Sequence, residues 1–256
     1  MKKNILLAAG LGAFFVLAAC DSGPSSSSSA GSEAAALERK AGFLQALMAR
    51  RPLAAQSFDA LISALPDRVR LTEIVFDPKG IQAKGIAPSN TVLADYISSL
   101  AEGSPLTDVM LRGSSLKTAR GREWVEFLLQ AAVREPGAAA AEGQHAADRA
   151  ARLEKSLPVR QAPSEMLREL QRTALDAGLQ MTKFVPGVEV AGEFTGELAA
   201  TIEVAGDPAE VGDYLRGLAG LSRLWIVERF SLKALAANDP RSQVRASVAA
   251  KAYFAR

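Results

Sequence analysis

The chain has 256 residues, a formal net charge of +2, 48% hydrophobic residues, one histidine and one cysteine. That length and apolar content suit one large or two ordinary domains with real cores and exclude a disordered chain. The near-neutral balance gives no electrostatic footprint for nucleic acid, and a single cysteine excludes an internal disulfide.

Lys2 and Lys3 form a short positive start, and Ile5 to Ala19 is an uncharged apolar run. The run falls short of the ~20 apolar residues that span a bilayer, and small residues close it, which is the layout of an export signal. Leu17-Ala18-Ala19-Cys20 resembles the bacterial lipobox. The resemblance implies cleavage between Ala19 and Cys20, a diacylglycerol on the Cys20 sulfur and an acylated new amino terminus. A thiol suits this because it is the nucleophile that forms the thioether. Two or more chains, at ~0.8 kcal/mol per buried CH₂, anchor stably where one does not. Asp21 directly after the cysteine implies retention in the inner membrane, by the sorting rule of enterobacterial lipoproteins.

Residues 20–32 are rich in serine and glycine and read as a flexible tether with a reach of ~20 Å. Residues 33–57 read as a helical segment. Leu37, Ala41, Leu44 and Met48 make an apolar stripe, and Pro52 breaks or kinks the helix. A first domain is expected over residues 58–134. Val69 to Phe76 and Ile81 to Ala87 read as a hairpin around Asp77–Gly80. Ser89 caps a helix carrying Val92, Tyr96 and Leu100. Thr107 to Leu111 and the alternating Val125 to Val133 read as two more strands. Residues 135–162 open on Glu135-Pro136-Gly137 and continue alanine-rich, with only Leu153 and Leu157 to bury, which reads as a linker or weakly packed helix.

A second domain is expected over residues 163–256. Ser164 to Ala177 reads as a helix, with Gly178 placed for a left-handed C-cap. Leu179 to Phe184 and Leu198 to Val204 read as strands. Asp207-Pro208-Ala209-Glu210 opens a helix with proline at N1 and an acid at N3. Leu224 to Leu232 and Val244 to Phe254 alternate as the last two strands. The two domains echo each other, since Asp95-Tyr96-Ile97-Ser98-Ser99-Leu100-Ala101 matches Asp213-Tyr214-Leu215-Arg216-Gly217-Leu218-Ala219. The fold class is therefore α+β: two ferredoxin-like αββαββ domains in tandem, each with helices on one sheet face, plus short N-terminal and interdomain helices.

Catalytic chemistry has no support. His145 lies in a polar alanine-rich stretch where nothing positions it for a triad, and no three metal ligands cluster. Gly217 and Gly220 sit at a helix end rather than in a phosphate loop. Glu126 and Glu193 read as surface groups, and Trp124, Trp225 and Tyr253 are scattered over different strands rather than forming a base-stacking platform. No catalytic residue, metal or cofactor is expected, and no nucleic-acid partner.

Phe58 to Ser115 resembles the periplasmic domain of the type IV pilus assembly protein PilN, through Leu65-Pro66, Val69-Arg70-Leu71-Thr72, Gly85 and the helix ending at Leu100. Met166 to Leu232 resembles the related PilO, through Ala177-Gly178-Leu179, Phe184-Val185-Pro186-Gly187, Gly206 and Leu218-Ala219-Gly220-Leu221-Ser222-Arg223. The resemblance implies a structural role among inner-membrane platform proteins of a type IV pilus or a type II secretion system. Family members begin with a cytoplasmic peptide and a transmembrane helix, and here a lipid on Cys20 is expected in their place, on the periplasmic face of the inner membrane. The rival expectation is an envelope lipoprotein that binds a small ligand or another envelope protein through one sheet or cleft. The family pairs a PilN-like with a PilO-like chain, so the two domains are expected to form an intramolecular pseudo-two-fold pair, leaving Leu37 to Met48 to face other proteins.

Overall fold

A computed structural model describes residues 27–102, 105–119, 121–134, 151, 153–155, 157, 162–235 and 243–255, with side chains from residue 32 onward. The chain opens with helices α1 (Ser27–Arg50) and α2 (Leu53–Ser63). The first domain continues as β1 (Arg70–Asp77), β2 (Gly80–Ala87), α3 (Asn90–Ala101), β3 (Leu106–Ala119) and β4 (Arg122–Val133). The second comprises α4 (Pro163–Asp176), β5 (Gln180–Ala191), β6 (Gly196–Gly206), α5 (Pro208–Gly220), β7 (Leu224–Ala234) and β8 (Val244–Phe254). Each domain has the expected αββαββ order and a sheet with two helices over one face.

Local chemistry sets the helix ends. The Ser89 hydroxyl accepts from the Val92 amide at 3.3 Å, which caps α3. The Glu210 carboxylate reaches back to the Asp207 amide at 2.8 Å and does the same for α5. Gly178 ends α4 at φ +86°, a left-handed backbone that favours glycine, and a Cβ there would also displace the Glu210 carboxylate, 2.6 Å away.

Three boundaries depart from the sequence expectation. Helix α1 begins at Ser27, inside the stretch read as tether, because alanines and Leu37 continue its helical run toward the buried stripe. Strand β3 runs to Ala119 rather than ending near Leu111, and β5 runs through Pro186 to Ala191. Both extensions are largely exposed sheet edges, where no apolar alternation is needed to hold a strand that its neighbour already pairs.

The eight strands form one continuous sheet in the order β3-β4-β2-β1-β7-β8-β6-β5, with every neighbouring pair antiparallel. One buried core accordingly runs from Leu53 through both domains to Ala252. The echo is structural as well. Thr72 and Thr182 are each the extra residue of a β-bulge, and their hydroxyls donate to Lys84 O at 3.3 Å and Glu203 O at 3.2 Å. The next residue forms a cross-strand ion pair in both copies with the charges exchanged: Glu73 with Lys84 at 2.7 Å, and Lys183 with Glu203 at 3.3 Å.

The two echo tyrosines are equally buried but differently served. Tyr96 donates to Leu61 O at 3.0 Å and so ties α3 to the end of α2. The Tyr214 hydroxyl has no hydrogen-bond partner among the described residues. Tyr96→Phe should therefore cost about 1–2 kcal/mol, because the Leu61 carbonyl loses its donor, whereas Tyr214→Phe should be within about 0.5 kcal/mol of neutral or stabilising. Urea unfolding of both variants measures this, and equal losses would contradict the assignment.

Candidate interaction surfaces

The surface between the domains is built first from strand edges. Edge strands carry unpaired amides and carbonyls that seek a partner. Here β1 and β7 satisfy each other over four residue pairs: Glu73 with Lys233, Ile74 with Leu232, Val75 with Ser231 and Phe76 with Phe230. The pairing lies between the bulge at Thr72 and that at Glu228. The rings of Phe76 and Phe230 stack at 5.2 Å with their planes 10° apart, and Phe58 of α2 meets Phe230 edge-on at 5.9 Å. Gly212 lets α2 approach α5, since a Cβ on it would lie 3.1 Å from the Phe58 ring. Above this, Arg216 is gripped by Asp59 from the other domain and by Asp213 from its own helix, and both carboxylates raise its pKa further above the ordinary arginine value.

The domains do pair within the chain, but not about a two-fold axis, and that expectation is corrected. A two-fold would bring like edges together, β1 with β5 or β3 with β7. Each domain instead has the order third, fourth, second, first strand, and the first strand of one domain meets the third strand of the other. Corresponding strands run in the same direction, so the domains are related by a step along the sheet. The aromatic stack and the Asp59–Arg216 contact exist only in that arrangement.

Helix α1 corrects a second expectation. Its apolar side does not face outward. Ala41, Leu44 and Leu47 are buried, with Leu44 and Leu47 in a separate cluster with Leu224, Ile226 and Tyr253 on the sheet face opposite the other helices. Leu153 and Leu157 of the connecting segment join this cluster, so they pack more firmly than composition suggested. The basic residues of α1 all meet acids or carbonyls. Arg39 pairs with Glu193 at 3.3 Å, Lys40 with Glu154 at 2.8 Å and Arg50 with Glu228 at 3.7 Å. Arg51 donates to Leu221 O and to Arg223 O, the latter at 3.2 Å, and burial lowers its pKa. Arg223 is itself buried and pairs with Glu169 at 3.1 Å.

The first domain keeps its opposite face open. A groove of about 700 Å³ lies there, lined by Thr72, Lys84, Ile86, Trp124, Glu126 and Leu128. Glu126 is half exposed and lies 3.9 Å from Lys117, while Glu193 meets Arg39, so the two carboxylates sit in different domains. Trp124, Trp225 and Tyr253 fall on β4, β7 and β8, with Trp225 buried in the core. Ala19, Cys20, Asp21 and His145 lie outside the described residues. Among the described residues no three His, Cys, Asp or Glu side chains gather to hold a metal, and no helix is long and apolar enough to cross a membrane.

This geometry defines a scaffold of two ferredoxin-like domains fused edge to edge, whose distinctive features are packing surfaces. The family model "Fimbrial assembly protein (PilN)" matches residues 56–133, and "Type IVa pilus alignment subcomplex PilO C-terminal domain" matches residues 162–256. The chain carries a PilN-family domain followed by a PilO-family domain in one polypeptide, and neither is a catalytic family. It is 31% identical over 100 residues to the "Type IV pilus inner membrane component PilO" of Pseudomonas aeruginosa, covering 37% of this chain and 48% of that protein. The chain thus spans about half the length of that curated relative. The crystal structure of the type 4 fimbrial biogenesis protein PilO from Pseudomonas aeruginosa is 30% identical over 41% of this chain and 76% of that one, with a TM-score of 0.35. The core region of PilO from the same organism's type IV pilus system is 30% identical over 36% and 92%, with a TM-score of 0.32.

Glu73 sits at the seam, bonded to Lys84 within its domain and to Lys233 across the junction at 3.2 Å. Lys84 and, secondarily, Lys233 hold its pKa below the ordinary carboxylate value, against desolvation that raises it. The folded state then binds fewer protons there than the unfolded chain, so its contribution is complete above the unfolded pKa and is lost as pH falls through the folded one. Glu73→Gln should cost up to about 1 kcal/mol near pH 7 and nothing once the pH lies below that carboxylate's titration. Urea unfolding of wild type and variant at neutral and acid pH checks this, and a difference that persists in acid would contradict it.

Proposed function

We propose that this protein is a lipid-anchored structural component of a type IV pilus platform, held at the periplasmic face of the inner membrane and acting through protein–protein contacts. The observation that carries the reading is the presence of a PilN-family and a PilO-family domain in one chain, joined by a shared sheet. Where two partner proteins meet as separate molecules, affinity depends on their concentrations. A covalent connection of this length keeps one domain near the other at an effective concentration of ~mM, so four strand pairs suffice to hold the junction. The molecule is then a preassembled pair that presents its remaining surfaces to the rest of the platform. A role in the related type II secretion platform is the variant of this reading that differs only in the machine served.

The anchor in this proposal is Cys20, cut free after Ala19, with Asp21 as the inner-membrane retention signal. Helix α1 starts at Ser27, seven residues on, and would hold the second domain close to the bilayer. Cys20→Ala should abolish acylation and processing and release the protein from the membrane fraction. Mass spectrometry of the mature amino terminus should find an acylated cysteine; an unmodified Cys20, or cleavage elsewhere, would end the anchor proposal. Crosslinking in intact cells followed by affinity purification should recover pilus platform proteins and tests the functional reading separately.

The open-face groove favours a second reading, in which the first domain binds a small envelope ligand. Trp124 lines it and reports on it directly. A saturable change in tryptophan fluorescence on adding periplasmic extract metabolites, absent in Trp124→Phe, is the outcome this reading expects; a flat response favours the purely structural role.

A further inference from the structure

The junction between the domains joins unlike edges, so the free edges at the two ends of the sheet are again unlike, and each repeats one half of that junction. Strand register establishes the correspondence. Ile81 and Ala83 of β2 pair with Ala131 and Leu129 of β4, as Ala200 and Ile202 of β6 pair with Ala250 and Val248 of β8. Carried across β4 and β8, this places Leu111, Gly113 and Ser115 of β3 where β7 has Phe230, Ser231 and Lys233. The bulges at Thr72 and Thr182 likewise place Lys183 and Val185 of β5 where β1 has Glu73 and Val75. The β3 edge therefore corresponds to the β7 edge over Gly113–Ser115, and the β5 edge to the β1 edge over Lys183–Val185, while Pro186 and the bulge at Arg112 stand where the junction has its aromatic pair.

Apolar exposure is concentrated at these ends. Eight large hydrophobic side chains are exposed among the described residues, and six lie on the two edge strands: Met110, Leu111 and Leu116 on β3, and Val185, Val188 and Val190 on β5. Leu175, on the helix over β5, is a seventh, 72% exposed. Phe230, the counterpart of Leu111, is fully buried because β1 and α2 cover it. What the inner edge has and the outer edges lack is the neighbouring domain. Val185 lies within the stretch of β5 that corresponds to the junction, and Leu111 and Leu116 flank Gly113–Ser115 on β3, so apolar side chains border both free edges at corresponding places.

We propose that the β5 edge of one molecule docks on the β3 edge of a second copy, continuing the sheet head to tail in the register and direction of the internal junction but without its aromatic stack. The pairing centres on Lys183–Val185 against Gly113–Ser115. It is short, because Pro186 and the bulge at Arg112 close it at one end. The internal junction is short too, and works because its halves are held together. The docking rests here on the lipid anchor proposed above: copies confined to a membrane surface meet that condition where dilute copies in solution do not. A heterologous contact of this kind does not close on itself, so it generates a row of copies rather than a dimer.

Engineered cysteines in the full-length chain test this in membranes. Gly113→Cys and Val185→Cys fall at opposed positions, and a Cβ at residue 113 meets nothing within 4 Å. Membranes from cells that coexpress the two single variants with different tags, treated with a mild oxidant, should yield a mixed disulfide-linked dimer. Either variant alone should give no more linked species than the parent chain, which controls for Cys20. Self-linking of one variant as strong as the mixed product would mean a two-fold contact and overturn the proposal. So would the absence of any mixed dimer while both introduced thiols still react with a maleimide.

Discussion

The structure depends on the meeting of β1 and β7. Four residue pairs and one aromatic stack turn two small sheets into one, and the consequences reach well beyond those residues. Each domain alone would expose an edge strand at this place and one side of Phe76 or Phe230. Joined, they bury both rings, fill the space above with Phe58 and share a single core. Burying aromatic and aliphatic side chains is the dominant favourable term, at roughly 25 cal/mol per Å² of apolar surface, and here that surface belongs to both domains at once. The polar contacts around the stack, Glu73 with Lys233 and Asp59 with Arg216, are partly exposed and fix alignment more than they supply energy.

Helix α1 adds a second tie of a different kind. It crosses to the sheet face that the ferredoxin-like arrangement leaves open, covers Leu224 and Ile226 at the start of β7, and meets acids through its basic residues. The strand that forms the junction is thereby held on both faces: by the core helices on one and by α1 on the other. Arg51, at the break between α1 and α2, bonds the carbonyls just before β7, which fixes the turn the chain makes around the sheet end.

The two halves show how duplicated architecture tolerates divergence. The bulge and its threonine are kept while the neighbouring ion pair has exchanged its charges, because a cross-strand pair needs opposite signs and not a particular sign at either position. The tyrosine is kept at the same buried helix position, but only in the first domain does its hydroxyl find a carbonyl. Packing constrains the ring, and hydrogen bonding constrains the hydroxyl only where a partner is in reach.

Periodicity determined most of the local structure. Val244 to Phe254 alternates because one face is buried, Asp207-Pro208-Ala209-Glu210 starts a helix because its side chains and proline satisfy helix-start geometry, and Gly178 stops one because only glycine sits comfortably at its φ. Those patterns fix the αββαββ order and the fold class. They say little where a strand is an exposed edge: β3 beyond Leu111 carries one large apolar residue, Leu116, and β5 beyond Phe184 is interrupted by Pro186-Gly187 before Val188 and Val190. They also cannot say which edge meets which. Glu73 and Lys233 are neighbours only because Phe76 finds Phe230, and proximity on one chain favours an encounter without choosing its orientation. The apolar stripe of α1 was legible, but not that it would cover the back of β7, since a stripe specifies that a helix needs a partner and not where that partner lies. The sequence by itself determined two similar αββαββ domains in tandem; the tertiary structure decided that they stack in one direction along one sheet, because the choice rests on shape and aromatic packing between residues far apart in the chain.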